Sequence, residues 1–415
     1  MSSLLTSIRE SNVDAKYLIA ASALVNFAGG YFMVARPVYL YAAGISPTMI
    51  GILISVQSFL GVVFGIPIAM LSDTLGRKRF VVFGLLLDAA GSFIYFSSLN
   101  IILLVVAQIF FGIVVASASS PFLALFTEKT TSENRNSMFV ILSFISGVST
   151  GAGNFLSGLP ATIAKLFDLG QVDSFRPLFL ASSVASLIAA FLVAKKVSET
   201  RRKGEIGSSG GNSLRGLFKI PRKSLGTVKK FSVVGLIGFG AGLIIPLFPL
   251  WYNLRFGVGV SVIGPLFGSM MLITSIASLF TPAMVKKTNT ILTIVMTQAS
   301  SVILLVLVPL SPNYLLAGTV MVARSVLMNM SGPVQQSFTM SLVHPDERAT
   351  ATSIIQLFDS IPRAYAPTIG GYLFSVGSLD LPFFVTAALY LTSTTLFYLL
   401  FRKARPLPEG RQVNA

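Results

Sequence analysis

The sequence predicts an all-α membrane protein, twelve transmembrane helices in two six-helix bundles, on three observations. Of its 415 residues 53% are hydrophobic and only 11% charged, where a soluble domain carries about 25% charged residues. Apolar runs long enough to span a bilayer, about 20 residues each, recur between short basic tracts. The second half of the chain also repeats the spacing of the first. So few charges cannot coat a water-facing surface, and in lipid every backbone polar group must be satisfied internally, which helices of this length do.

Taken in order, the apolar runs place spans near 17–43, 47–72, 79–98, 101–126, 137–165 and 176–194, then near 231–256, 260–284, 289–309, 313–343, 350–378 and 381–401. Several exceed the minimum, which predicts tilt or extension beyond the bilayer. Met1 to Lys16 is polar and of mixed charge, without the layout of a cleaved signal. The positive-inside rule tests the count. With both termini cytoplasmic, 25 of the 31 Lys and Arg fall on inward segments, and three (Lys165, Arg176, Arg255) fall on outward loops. The remaining three, Arg36, Arg324 and Arg363, lie inside spans. The net charge of +16 therefore belongs mainly to a cytoplasmic face beside anionic lipid head groups, not to a nucleic-acid site. The expected location is the cytoplasmic membrane.

Residues 195–230 divide the chain into bundles at 1–194 and 231–415. This linker is basic at both ends, with a Gly/Ser-rich centre from Gly204 to Ser213. Across it, Phe27, Gly30, Pro37 and Gly44 correspond to Phe239, Gly242, Pro249 and Gly257. Pro121 corresponds to Pro333, Arg135 to Arg348 and Gly158 to Gly371. A nearly constant offset over six helices indicates an internal duplication.

The segment after the second span reads Ala69-Met-Leu-Ser-Asp73-Thr-Leu-Gly76-Arg77-Lys78-Arg79. It resembles the G-x-L-a-D-r-x-G-R-K signature of the major facilitator superfamily, with a small Ala69 at the first glycine. The resemblance covers nearly the whole chain and is nearest to the branch of drug and sugar exporters. It implies a conformational latch of Asp73, Gly76, Arg77 and Glu128, with Asp73 capping the eleventh helix near Ala351–Ser353 and Arg77 pairing with Glu128. The plainer reading makes Arg77–Arg79 topology anchors. The resemblance also implies a monomer, and a central cavity lined by the first, fourth, seventh and tenth helices. The second-half loop Lys286-Lys287-Thr-Asn lacks the Asp and Gly. The fifth span, Gly147-Val-Ser-Thr-Gly151-Ala-Gly, lacks the Pro of the antiporter pattern.

Charges inside spans are costly, roughly 2.5–3.5 kcal/mol each on insertion scales, and usually face the bundle interior. On the eleventh span Gln356, Asp359, Ser360, Arg363 and Pro367 share one helical face. Asp359 either couples proton entry to substrate binding by releasing Arg363, or forms a static pair with it. Arg324 on the tenth span, on one face with Gln335, is a candidate anion ligand or the partner of Asp359; its repeat mate is Phe111, which weights the polar site toward the second half. Arg36 is a ligand or a snorkelling anchor. Ser143, Ser146, Thr150, Asn154 and Ser157 stripe the fifth span as a wetted wall. Asp88, on a span that the resemblance places peripherally, is a helix-packing or interfacial carboxylate or else a coupling site, and Trp251 and Tyr252 form an outer aromatic belt or an aromatic lid over a ligand.

No cysteine is present, and one histidine, His344, leaves no metal cluster and no thiol nucleophile; no cofactor or metal is expected, and no enzyme. The expected substrate ligands are Arg36, Arg324, Gln335, Asn154, Gln356 and Arg363. The resulting expectation is a secondary transporter moving a small organic solute, polar or anionic, by alternating access with protons as the coupling ion. A lipophilic drug efflux pump and a non-transporting sensor of the same fold are the alternatives.

Overall fold

The computed structural model describes residues 11–131, 133–199, 223–278 and 289–404. Among the described residues the long helical regions are, in order, α1 (Val13–Ala42), α2 (Pro47–Leu75), α3 (Arg77–Ser97), α4 (Ile101–Glu128), α5 (Arg135–Leu156) and α6 (Arg176–Lys196), then α7 (Leu225–Phe256), α8 (Val260–Ser278), α9 (Thr290–Leu310), α10 (Tyr314–Ser341), α11 (Arg348–Ser375) and α12 (Leu381–Phe401). Ten of these regions are long and apolar enough to cross a membrane by length and composition. The apolar part of α8 is shorter, Val260–Thr274. Helix α11 is 28 residues long but carries Asp359 and Arg363. The protein is a multi-pass, all-helical membrane protein. The centre of the linker and the loop around Lys286 and Lys287 lie outside the described residues.

Helix starts follow local chemistry. Asn12, Ser46, Asn100, Asn289 and Asn313 accept a backbone N–H of the first turn through their side chains, and Pro47 follows Ser46 at the first helical position. Several helices are interrupted where the sequence weakens the ladder. Helix α5 gives way at Ser157 and Gly158 to a further helix, Leu159–Phe167. Helix α7 passes through a 3-10 turn at Ile245–Leu247, next to Pro246 and Pro249. Helix α10 breaks at Ser331, before Gly332-Pro333.

Contacts gather the chain into two compact units. The first holds Met1–Gly207 with Gly242–Leu272 and Ala364–Leu379; the second holds Ser208–Ala241, Ile273–Arg363 and Asp380–Ala415. Helices α7, α8 and α11 thus run from one unit into the other. In the first unit α2 packs on α4, α3 on α4 and α6, and α1 on α5 and α6. Small residues make these approaches close: a Cβ at Gly153 would stand 1.9 Å from the Phe27 carbonyl oxygen, leaving no room for any other residue where α5 meets α1. Ser55 and Thr368 bind each other through their hydroxyls at 2.9 Å, as do Thr48 and Ser375 at 2.7 Å. In the second unit α9 packs on α10 and α12, around Phe231, Phe338, Phe397 and Phe401.

Trp251 and Tyr252 are not an aromatic belt. They are 0% and 1% exposed, with Trp251 stacked on Phe248 at 5.4 Å between centroids. The 3-10 turn preceding them resets the helical phase, so the sequence register of α7 does not tell which face its last turns bury.

Candidate functional site

The first unit encloses a cavity of about 400 Å³, within the size range of small-molecule sites. Its walls include Asn26, Phe32 and Arg36 of α1, Gln57 of α2, Asp88 of α3, Phe111 and Val114 of α4, Thr150 of α5, and Pro246 from the 3-10 turn of α7. Arg36 is fixed by neutral groups. Its Nη1 donates to Gln57 Oε1 at 2.6 Å and to Gln108 Oε1 at 3.2 Å. The Gln108 amide in turn donates to the Tyr95 hydroxyl at 2.5 Å. The guanidinium is therefore oriented by a chain running through α1, α2, α4 and α3, while no carboxylate among the described residues neutralises it. Its Nε is buried without a hydrogen-bond partner. A guanidinium held open in this way is a ligand for a carboxylate, phosphate or carbonyl group.

Asp88 lines the same cavity and accepts a hydrogen bond from the Ser186 hydroxyl of α6 at 2.5 Å. Its expected peripheral position is corrected here: α3 reaches the cavity because glycines bring it against α4. A Cβ at Gly84 would meet Ser117 at 2.8 Å, and one at Gly91 would meet Phe111 at 2.8 Å. The polar stripe of α5 is wet in part only. Thr150 lines the cavity, whereas Asn154 and Ser157 are 1% and 0% exposed. Gly30 and Gly264 press against the Asn154 backbone, and neither side-chain polar atom of Asn154 has a hydrogen-bond partner.

The second unit places the other candidates apart from one another. Arg324 is 1% exposed, its Cζ 5.4 Å from the centroid of the Tyr390 ring, a cation–π contact. Its Nε and Nη2 are buried without hydrogen-bond partners, so it is not the partner of Asp359. That carboxylate belongs to Arg363, through Oδ2 at 3.0 Å and Oδ1 at 2.9 Å. Gln335 accepts from the Gln298 amide at 3.1 Å, and Gln298 Oε1 accepts from Thr394 at 3.3 Å. Gln356 is exposed. Of the six expected substrate ligands, only Arg36 lines the described cavity; the weighting toward the second half rested on the Arg324–Phe111 mismatch and overlooked Gln57, Gln108 and Tyr95. Two glutamines in otherwise apolar stretches of α2 and α4 were the available signal.

At the junction of α2 and α3, Arg77 donates to Asp73 at 2.7 and 2.9 Å and to Glu128, at the end of α4, at 2.6 Å. Asp73 thus spends its carboxylate on Arg77 in this state. Gly76 has φ +107°, and a Cβ there would meet the Glu199 carboxylate at 3.0 Å; glycine alone suits both demands. Glu199 also accepts from the Lys78 backbone N–H at 3.3 Å.

A polar cavity among several apolar helices is an arrangement that membrane carriers use. The chain belongs to the Major Facilitator Superfamily, which it matches over residues 18–367, and this places it among transporters and outside the enzymes. It is 29% identical over 154 residues to an uncharacterized transporter of Buchnera aphidicola subsp. Schizaphis graminum (strain Sg), covering 37% of each chain. It is 32% identical over 123 residues to the inner membrane transport protein YajR of Escherichia coli (strain K12), covering 29% of this chain and 27% of that one. These matches thus span only 37% of the one relative and 27% of the other. Its fold is shared with the nucleoside transporter NupG (D323A mutant; TM-score 0.77, 10% identity, 93% of this chain and 99% of that one). A bacterial homolog of the human lysosomal transporter Spinster, inward-facing and occupied, gives TM-score 0.77 at 15% identity over 95% and 98%. A D-xylose-proton symporter gives 0.70 at 14% over 96% and 100%.

Proposed function

We propose that the protein is a secondary active transporter that moves a small polar or anionic organic solute across the membrane by alternating access, driven by protons. The observation that carries this reading is Arg36, a cation inside a span, lining a cavity of ligand size and held there by neutral amides. The Arg36 guanidinium, with no carboxylate bonded to it among the described residues, attracts an anion to its wall of the cavity and repels a lipophilic cation there. In this reading the halves 1–194 and 231–415 rock about the site, both termini are cytoplasmic, and a monomer suffices. Arg77, bridging Asp73 and Glu128, is the contact that exchanges partners during rocking. Arg324 and Gln335, being internally sealed or bonded, orient the second half and do not touch substrate.

The test is a thermal-shift screen of the purified protein in detergent, wild type beside Arg36→Ala, with organic anions, sugars and lipophilic cations. Stabilisation by an anion or sugar that disappears in Arg36→Ala supports the reading. Stabilisation by lipophilic cations that survives Arg36→Ala sinks it in favour of drug export.

A further inference from the structure

We infer that Asp88 is the proton-carrying group of the cavity, taking up a proton from solution as an organic anion docks at Arg36. The inference rests on the transporter reading and assigns its coupling site.

The argument starts from the surroundings of the carboxylate. Asp88 stands on α3 facing the cavity, with one hydroxyl, that of Ser186, donating to it. No ion pair reaches it among the described residues. Apart from Arg36, the described elements around it carry their charges only near their ends. Helix α4 is uncharged apart from Glu128 at its end, and α6 bears only Arg176, Lys195 and Lys196 at its ends. Helix α2 has only Asp73 near its end, and α5 only Arg135 at its start. From α1, Asp14 and Lys16 lie in the first turns, leaving Arg36 as the charged group of that wall. On α3 itself the other titratable groups are Arg77, Lys78 and Arg79 in the first turn and Tyr95, bound to Gln108, and from α7 the cavity receives Pro246 alone.

Charge arithmetic follows. With Asp88 ionised, Arg36 and Asp88 leave the cavity neutral overall, and a bound anion brings an uncompensated negative charge into a medium that penalises it. With a proton on Asp88 the cavity carries the single positive charge of Arg36, which the anion neutralises. Proton and anion therefore bind with positive coupling, and by linkage each raises affinity for the other. Only an O–H bond forms at the carboxylate, and nothing is oxidised or reduced. Asp359 is less suited, because both of its oxygens are engaged by Arg363 and a proton there would have to break that pair.

The experiment uses the full-length protein in liposomes loaded with a pH-sensitive dye, with lactate, gluconate and benzoate as probe anions, comparing wild type, Asp88→Asn, Asp88→Glu and Asp359→Asn. Expected is lumenal acidification and uphill accumulation in wild type, Asp88→Glu and Asp359→Asn. In Asp88→Asn uphill accumulation is lost while counterflow exchange is kept, which a merely misfolded variant would not show. Uphill accumulation by Asp88→Asn at the wild-type level, or its loss in Asp359→Asn alone, overturns the assignment. A second measurement needs no transported solute. Infrared titration of the same variants should show a buried carboxylic-acid C=O band in wild type and Asp359→Asn that is missing from Asp88→Asn; the band persisting in Asp88→Asn overturns the inference. If no variant moves or binds any probe anion, the anion-transport reading fails while the infrared arm still decides whether Asp88 holds the proton.

Discussion

Arg36 and Arg324 are both arginines inside apolar spans, and the structure treats them in opposite ways. Arg36 borders a cavity and is clasped by two glutamine oxygens; Arg324 is sealed under a tyrosine ring with two of its nitrogens unpartnered. Depth in a membrane helix therefore does not by itself mark a ligand. A binding arginine needs partners that orient it without neutralising it, and open space for what it binds. A sealed arginine meets neither need, and its burial is a cost to the fold.

The sharpest way to break this comparison is to remove each guanidinium in turn. Arg36→Ala should weaken binding of a stabilising anion by about ten- to a hundredfold, the range of a lost charge-assisted hydrogen bond of about 1.5–3 kcal/mol, as measured by titration calorimetry. Arg324→Met should leave that affinity unchanged and raise the melting temperature, because an apolar side chain of similar length replaces a buried charge, a change worth about 1–4 kcal/mol in comparable cases. A fall in melting temperature instead would mean that Arg324 holds a partner essential to the fold.

Smaller effects sharpen the same contrast. Gln57→Leu keeps the volume but deletes the 2.6 Å acceptor of Arg36, so anion affinity should fall less than in Arg36→Ala, by about tenfold for one lost bond. The smallest change is expected at Glu347, outside the spans. Burial acts to raise its carboxyl, but hydrogen bonds from Ser224 and the Lys223 and Ser224 backbones, with the charge of His344, outweigh it and hold the group below its usual 4.5. A lowered folded value contributes stability above the ordinary range and loses it as pH falls through the folded value. The melting-temperature gap between wild type and Glu347→Gln should accordingly be present at neutral pH and close on acidification.

Much of the architecture was legible because its causes are local. Twelve apolar runs, N-capping Asn and Ser, and the prolines that interrupt helices act over a few residues, and each appears in the helix bounds. The signature around Asp73 and Arg77 was legible as well, being contiguous in sequence. The cavity was not, since it depends on which faces meet. Asp88 reached it only because Gly84 and Gly91 let α3 close on α4, and Asn154 was driven out of it where Gly30 and Gly264 press on its backbone. Trp251 changed sides because a 3-10 turn broke the register that periodicity assumes.

The sequence by itself determined that this chain lives in lipid as a bundle of helices, because hydropathy and charge placement are properties of single residues summed over short windows. Only the tertiary structure decided which of its intramembrane charges face a cavity and which are sealed, because that depends on how closely non-neighbouring helices approach, and a few missing Cβ atoms set that distance.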